Sequence, residues 1–187
     1  MRAADLRALQ APLKTRYRET PAAAQVTSHA EAELRPGAVQ VGVRVGEAFV
    51  EAGLHPATGG DGTVRCSGDM LLDALVACAG VTLQAVAIAM GVTVKSGHLR
   101  AEGDWDARGT LGLSREVPVG CTAVRVMVSL DSNATPDQLA KLLELTERYC
   151  VVAQTLNKGV PVEVRGEEPL GVRRFHPERS EGSTHPG

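Results

Sequence analysis

Residues 67–91, SGDMLLDALVACAGVTLQAVAIAMG, constrain the fold more than any other stretch of the chain. The run is the longest apolar one, carries no Pro, and is too long for one strand, so it reads as a helix. Ser67 is placed to cap its start and Gly91 its end. Leu71, Leu75, Val81, Leu83, Val86, Ile88 and Met90 spread around the whole circumference. A helix apolar all round is expected to be buried on every side. The length would also suffice to cross a membrane. Asp73 in the first turns, the many Ala and the lack of a basic flank point instead to the central helix of a soluble domain. Cys78 lies inside this helix, and its plainest reading is a small core hydrophobe.

The rest of the chain supplies strands and shorter helices to pack on that element. Residues 4–18 are weakly amphipathic and predict a polar outer helix that Pro12 would break or restart. Residues 24–34 alternate apolar and polar as a half-buried strand does. Arg35-Pro36-Gly37 is a turn, Val39, Val41, Val43 and Val45 make a second strand, and Gly46 turns the chain into a third at Ala48–Gly53. This is an antiparallel meander. The loop HPATGGDG (55–62) is glycine-rich but lacks the Lys and the spacing of a phosphate-binding loop. Residues 92–105 predict a strand with a bulge near Ser96-Gly97. Residues 121–130 predict another, opened by Cys121 as a packing residue. Thr135-Pro136-Asp137-Gln138 is a capping box with Pro at the first helical position. The helix behind it presents Leu139, Leu142, Leu143 and Thr146 on one face and ends at Cys150. Residues 151–158 predict a short helix closed by Gly159, VPVEVR (160–165) a last strand, and the polar residues from 171 onward a disordered tail. The fold class is α+β, with an antiparallel sheet packed on the long helix. The division is a helical extension over 1–22, one globular domain over 23–168 and a tail over 169–187.

Composition narrows the function. A net charge of -2 and 3% aromatic residues offer nothing for nucleic acid or an anionic membrane surface. MRAADLRALQ lacks an apolar signal core, so the expected compartment is the cytoplasm. There the four cysteines, Cys66, Cys78, Cys121 and Cys150, are expected to be mostly reduced. Their spacings miss the close pairs of zinc sites, so no metal is expected. Cys150 falls where one helix ends and the next begins, and a helix N-terminus favours the reactive thiolate.

Four segments carry a resemblance: GGDG (59–62), LLDALVACAGVTL (71–83), G-D-W-D-A-R-G (103–109) and RYCVVAQTLNKGVPVEV (148–164). In order and spacing the chain resembles the osmotically inducible protein C and organic hydroperoxide resistance (OsmC/Ohr) family over about residues 25–165, and its OsmC-like branch above all. The resemblance implies an intertwined α+β homodimer with the cysteine helix at its centre. It also implies that Cys78 is a peroxidatic thiol, oxidised by an organic hydroperoxide to a sulfenic acid. Cys150 would resolve that acid to a Cys78–Cys150 disulfide, and a dithiol would reduce the enzyme again, with no metal or organic cofactor. Nucleic acid and membrane would not be partners.

The chain departs from the family in what activates the thiol. Hydroperoxide reductases of this kind have a Glu ten residues before the peroxidatic Cys. Gly68 stands there, with Asp69 beside it but turned away from the Cys78 face. The side chains stacked with Cys78, including Leu75, Val81 and Thr82, carry no charge, and an apolar setting raises a thiol's pKa. The family's activating Arg comes from an early strand or loop, which makes Arg35 and Arg44 the candidates. Two readings follow. One is a thiol-dependent peroxidase. The other is a non-catalytic dimer of the same fold that binds a small apolar ligand or senses redox state.

Overall fold

The computed structural model describes residues 1–166, and the expected tail lies outside them. Helix α1 (Ala3–Glu19) is continuous through Pro12, which does not break it. The carbonyl at Ala8, which loses its partner to the Pro ring, is on an exposed residue where water can serve it. A short 3-10 turn at Pro21–Ala24 follows. Strand pairing begins only at β1 (Ala32–Leu34), so most of the alternating stretch from 24 is not strand. The meander then runs as the valine pattern indicates, through β2 (Gln40–Val45) and β3 (Ala48–Gly53), both joints antiparallel. A two-residue strand, β4 (Arg65–Cys66), pairs parallel to β3.

Helix α2 (Asp69–Met90) is the long apolar element. Gly68, not Ser67, is its N-cap, and no side chain caps it. Gly91 ends it with φ +73°, a conformation that Gly adopts without steric cost. The helix is not covered on every side. Its buried residues are Leu75, Ala79, Leu83 and Ala87, a single stripe at four-residue spacing, while Val81 is 72% exposed. The stripe packs against β5 (Val94–Asp104), α4 (Pro136–Tyr149) and α5 (Val151–Lys158).

Strand β5 forms a long antiparallel ribbon with β6 (Ala123–Ser132), with its irregularity between Val94 and Ser96. A one-turn helix, α3 (Ala107–Thr110), and an irregular stretch connect them. Cys121 lies in that stretch and is exposed, so it neither opens the strand nor packs in the core. The expected single sheet is thus two: β1-β2-β3-β4 and β5-β6. Only the second supports α2 broadly; the first reaches it through β4. Residues 160–165 form no strand. Val160, Val162 and Val164 are 58%, 87% and 95% exposed, and no strand among the described residues pairs with them.

Two clusters make the core. Leu83, Ala87, Val92 and Leu142 fill one end of the α2–α4 contact. Leu75, Ala79 and Cys150 fill the other, with Leu99, Val126 and Leu156 around them. The chain is an α+β fold in which one end of the core is built around a cysteine.

Candidate functional site

The capping box sets where Cys150 falls. The Thr135 hydroxyl accepts from the Gln138 N–H, and the Gln138 side chain accepts from the Thr135 N–H. Helix α4 therefore starts at Pro136, and its face of Leu142 and Thr146 turns into the core. The Cys150 N–H donates to the Thr146 carbonyl at 3.0 Å and ends α4. The Cys150 carbonyl accepts from the Gln154 N–H at 2.9 Å and begins α5. Cys150 is thus the last cap of one helix and the first of the next, and it is fully buried.

That corner places the first N–H groups of α5 over the middle of α2. Cys78, half-buried, packs into the same cluster as Cys150. Burial pushes the Cys78 thiol up. Against this, the nearby Val152 N–H, Cys150 thiol, Val151 N–H and Thr82 hydroxyl favour the thiolate of Cys78. Together they outweigh burial and hold Cys78 below the ordinary thiol range. Cys150 moves the other way: burial raises it most, the Ala153 and Val152 N–H groups oppose this, and the neighbouring Cys78 raises it further. The first proton of the pair therefore leaves Cys78. The donor set is the uncovered start of α5, where free N–H groups and the helix dipole favour a negative charge.

The N–H groups at the start of α5 act on both sulfurs, but only for Cys78 do they prevail over burial. The side-chain candidates have other partners within one chain. Arg35 donates to Glu51 at 2.6 Å and also pairs with Glu33. Arg44 pairs with Glu31 and Glu33 and lies 4.6 Å over the Phe49 ring. Asp69 faces Arg65 at 3.8 Å, and Asp73 holds the same guanidinium at 2.7 Å. Asp69 is also nine residues from Cys78, about 13 Å along the helix axis. Within one chain the structure brings Cys78 and Cys150 together and leaves Asp69, Arg35 and Arg44 elsewhere. The activators that sequence reasoning missed are backbone amides, which have no side-chain signature. The start of α5 at residue 150 was the available signal.

A cavity of about 380 Å³ opens on the far side of Cys150. Leu75, Val126, Leu143 and Leu156 give it apolar walls, and Arg125 and Glu147 add charge. Arg125 itself is held by Glu102 and Asp104 at 2.8 and 2.6 Å. Among the described residues no three His, Cys, Asp or Glu side chains converge in a way that could hold a metal ion.

Solved structures share this architecture. An OsmC-like protein from Mycoplasma pneumoniae superposes with a TM-score of 0.62 at 15% identity, over 73% of this chain and 90% of that one. The organic hydroperoxide resistance protein OhrB of Bacillus subtilis gives 0.50 at 13% identity, over 71% and 93%. An organic hydroperoxide resistance protein OsmC from Legionella pneumophila gives 0.50 at 13%, over 71% and 91%. At such identities the likeness is one of fold. No curated protein matches the sequence. Residues 60–165 match the family described as OsmC-like protein, and they include both Cys78 and Cys150. Since that match spans more than half of the 187 residues, the chain belongs to the OsmC-like protein family.

Proposed function

We propose that the protein is a thiol-dependent peroxidase that reduces organic hydroperoxides. The observation that carries this is the packing of Cys78 in one core cluster with Cys150 and with Val152 at the start of α5, whose amides favour the Cys78 thiolate. A thiolate is the nucleophile in such chemistry, and these donors favour it without a cation. The thiolate attacks one oxygen of the O–O bond, and the alcohol departs. The resulting Cys78 sulfenic acid lies in contact with Cys150, whose thiol displaces water and forms the disulfide. A dithiol then returns both sulfurs by exchange. The fold shared with the hydroperoxide resistance proteins of Bacillus subtilis and Legionella pneumophila supports a role in peroxide resistance.

The working unit of this reading is a homodimer in the cytoplasm, formed by residues 23–168. Helix α2 has the length and composition of a membrane span. Its buried stripe is nevertheless committed to β5, α4 and α5, and its open side, with Leu71 and Val81, suits a second copy. A partner could also bring Arg35 or Arg44 toward Cys78.

The test is peptide mapping without reductant after one equivalent of cumene hydroperoxide. The expected result is a peptide pair joined through Cys78 and Cys150, with one hydroperoxide consumed per pair. Unchanged thiols and unconsumed hydroperoxide would leave the second reading, a non-catalytic dimer that binds a small apolar ligand or senses redox state. The apolar walls of the 380 Å³ cavity favour that alternative.

A further inference from the structure

The other two cysteines have a cavity of their own. Cys66 and Cys121 both line a space of about 290 Å³ at the start of α2. His55 and Trp105 line it too, their rings meeting edge to face with centroids 5.2 Å apart. These two come from the glycine-rich loop and from the G-D-W-D-A-R-G segment. Neither segment has a part in the Cys78–Cys150 chemistry, and here they meet.

The glycines locate both sulfurs. A Cβ on Gly103 would lie 3.1 Å from the Cys121 sulfur and 3.4 Å from a Leu72 methyl, so this sulfur is turned in toward α2. A Cβ on Gly68 would lie 3.7 Å from the Cys66 sulfur. Gly68 and Leu72 are four residues apart on one face of α2, about 6 Å along its axis. Both cysteines therefore line the cavity beside the start of the helix. Cys66 is half-buried in β4, and Cys121 is exposed in a stretch without helix or strand between α3 and β6.

We propose that Cys66 and Cys121 are a second redox dithiol, which an organic hydroperoxide oxidises to a disulfide across this cavity. The proposal rests on the peroxidase reading only for the class of oxidant. The Cys121 thiolate is the exposed one and attacks a peroxide oxygen. The O–O bond breaks, and the alkoxide takes up a proton and leaves as alcohol. Cys121 is then a sulfenic acid. The Cys66 thiolate attacks its sulfur, the S–O bond breaks, and hydroxide leaves with a proton as water. Two thiols are oxidised and one hydroperoxide is reduced. Closure needs the two Cα atoms within about 7 Å.

The Cys78→Ser/Cys150→Ser double variant isolates the pair. It is treated with cumene hydroperoxide, alkylated and digested with trypsin without reductant. Cleavage after Arg65 and Lys95 puts Cys66 on one peptide, and cleavage after Arg115 and Arg125 puts Cys121 on another. The expected product is these two peptides joined with the loss of two hydrogens, separated by dithiothreitol and absent when Cys121→Ser is added. Two alkylated thiols, or oxidation confined to one cysteine, would overturn the proposal. Should the double variant fail to fold, the same join is sought in the unaltered protein, with chymotryptic cleavage between Leu71 and Leu75 to part Cys66 from Cys78. There a join of Cys78 to the Cys150 peptide reports the main pair, so either pairing can fail alone.

Discussion

Cys78 and Cys150 differ in what the fold offers each sulfur. Burial raises both thiols and α5 amides lower both; the amides with the Cys150 thiol and Thr82 prevail at Cys78, whereas burial and the neighbouring Cys78 prevail at Cys150. The signs set two pH windows. The contribution of Cys78 to stability is present above the unfolded thiol pKa and is lost as pH falls through its lower folded value. That of Cys150 is present below the unfolded pKa and is lost as pH rises through its higher folded value. In the Cys66→Ser/Cys121→Ser background, Cys78→Ser is predicted to abolish hydroperoxide consumption. The Ser hydroxyl inherits the Val152 amide and the Thr82 hydroxyl as partners. Its cost, read from a melting curve, should therefore stay below the roughly 1–3 kcal/mol of an unpartnered buried hydroxyl. Both sulfurs were legible in the sequence because the family pattern marks them. Their activation was not, since Val151 and Val152 act through N–H groups that any residue but Pro would supply.

That exception gives a test at the scale of an element. Val151 is the first residue of α5 and 72% exposed, and Cys150 before it is extended at φ -73°, ψ 111°. Pro is accepted at a first helical position and after an extended residue. Val151→Pro should therefore keep α5 and remove one donor, moving the Cys78 titration upward with little change in melting temperature. An unchanged titration would show that the Val151 amide does not act on the sulfur. On α4, Thr135→Ala removes the capping box and should cost about 1 kcal/mol in denaturant unfolding. Helices α2, α4 and α5 and strands β2, β3, β5 and β6 were readable because each carries its period and its own stop signals. Residues 160–165 carry the strand period as well, yet they form none. Period two makes a strand possible, and a free sheet edge is still required. The short β4 and α3 have no period to read.

At the scale of the whole molecule, the sequence indicates a helix that needs cover on every side and one sheet that covers only one face, with a second copy to supply the rest. The structure has two sheets and a helix covered along one stripe. Residues 24–31 and 160–165 apart, the local patterns were right, and what covers the open face is a long-range property that no single stretch states. Val81, Phe49 and the valines at 160, 162 and 164 are left open to solvent in the single chain. Apolar surface on this scale favours association. Sedimentation equilibrium at micromolar concentration should return twice the chain mass, and Val81→Lys should shift it toward a single chain mass. A stable monomer from the unaltered protein would contradict the dimer.

On the peroxidase reading, α5 makes Cys78 the thiolate of the pair. Its most direct test is the rate of Cys78 alkylation by iodoacetamide against pH, in the Cys66→Ser/Cys121→Ser variant with each peptide quantified. The predicted result is a Cys78 midpoint below that of a free thiol, with Cys150 reacting slowly throughout. A Cys78 midpoint at or above the free thiol value would contradict it.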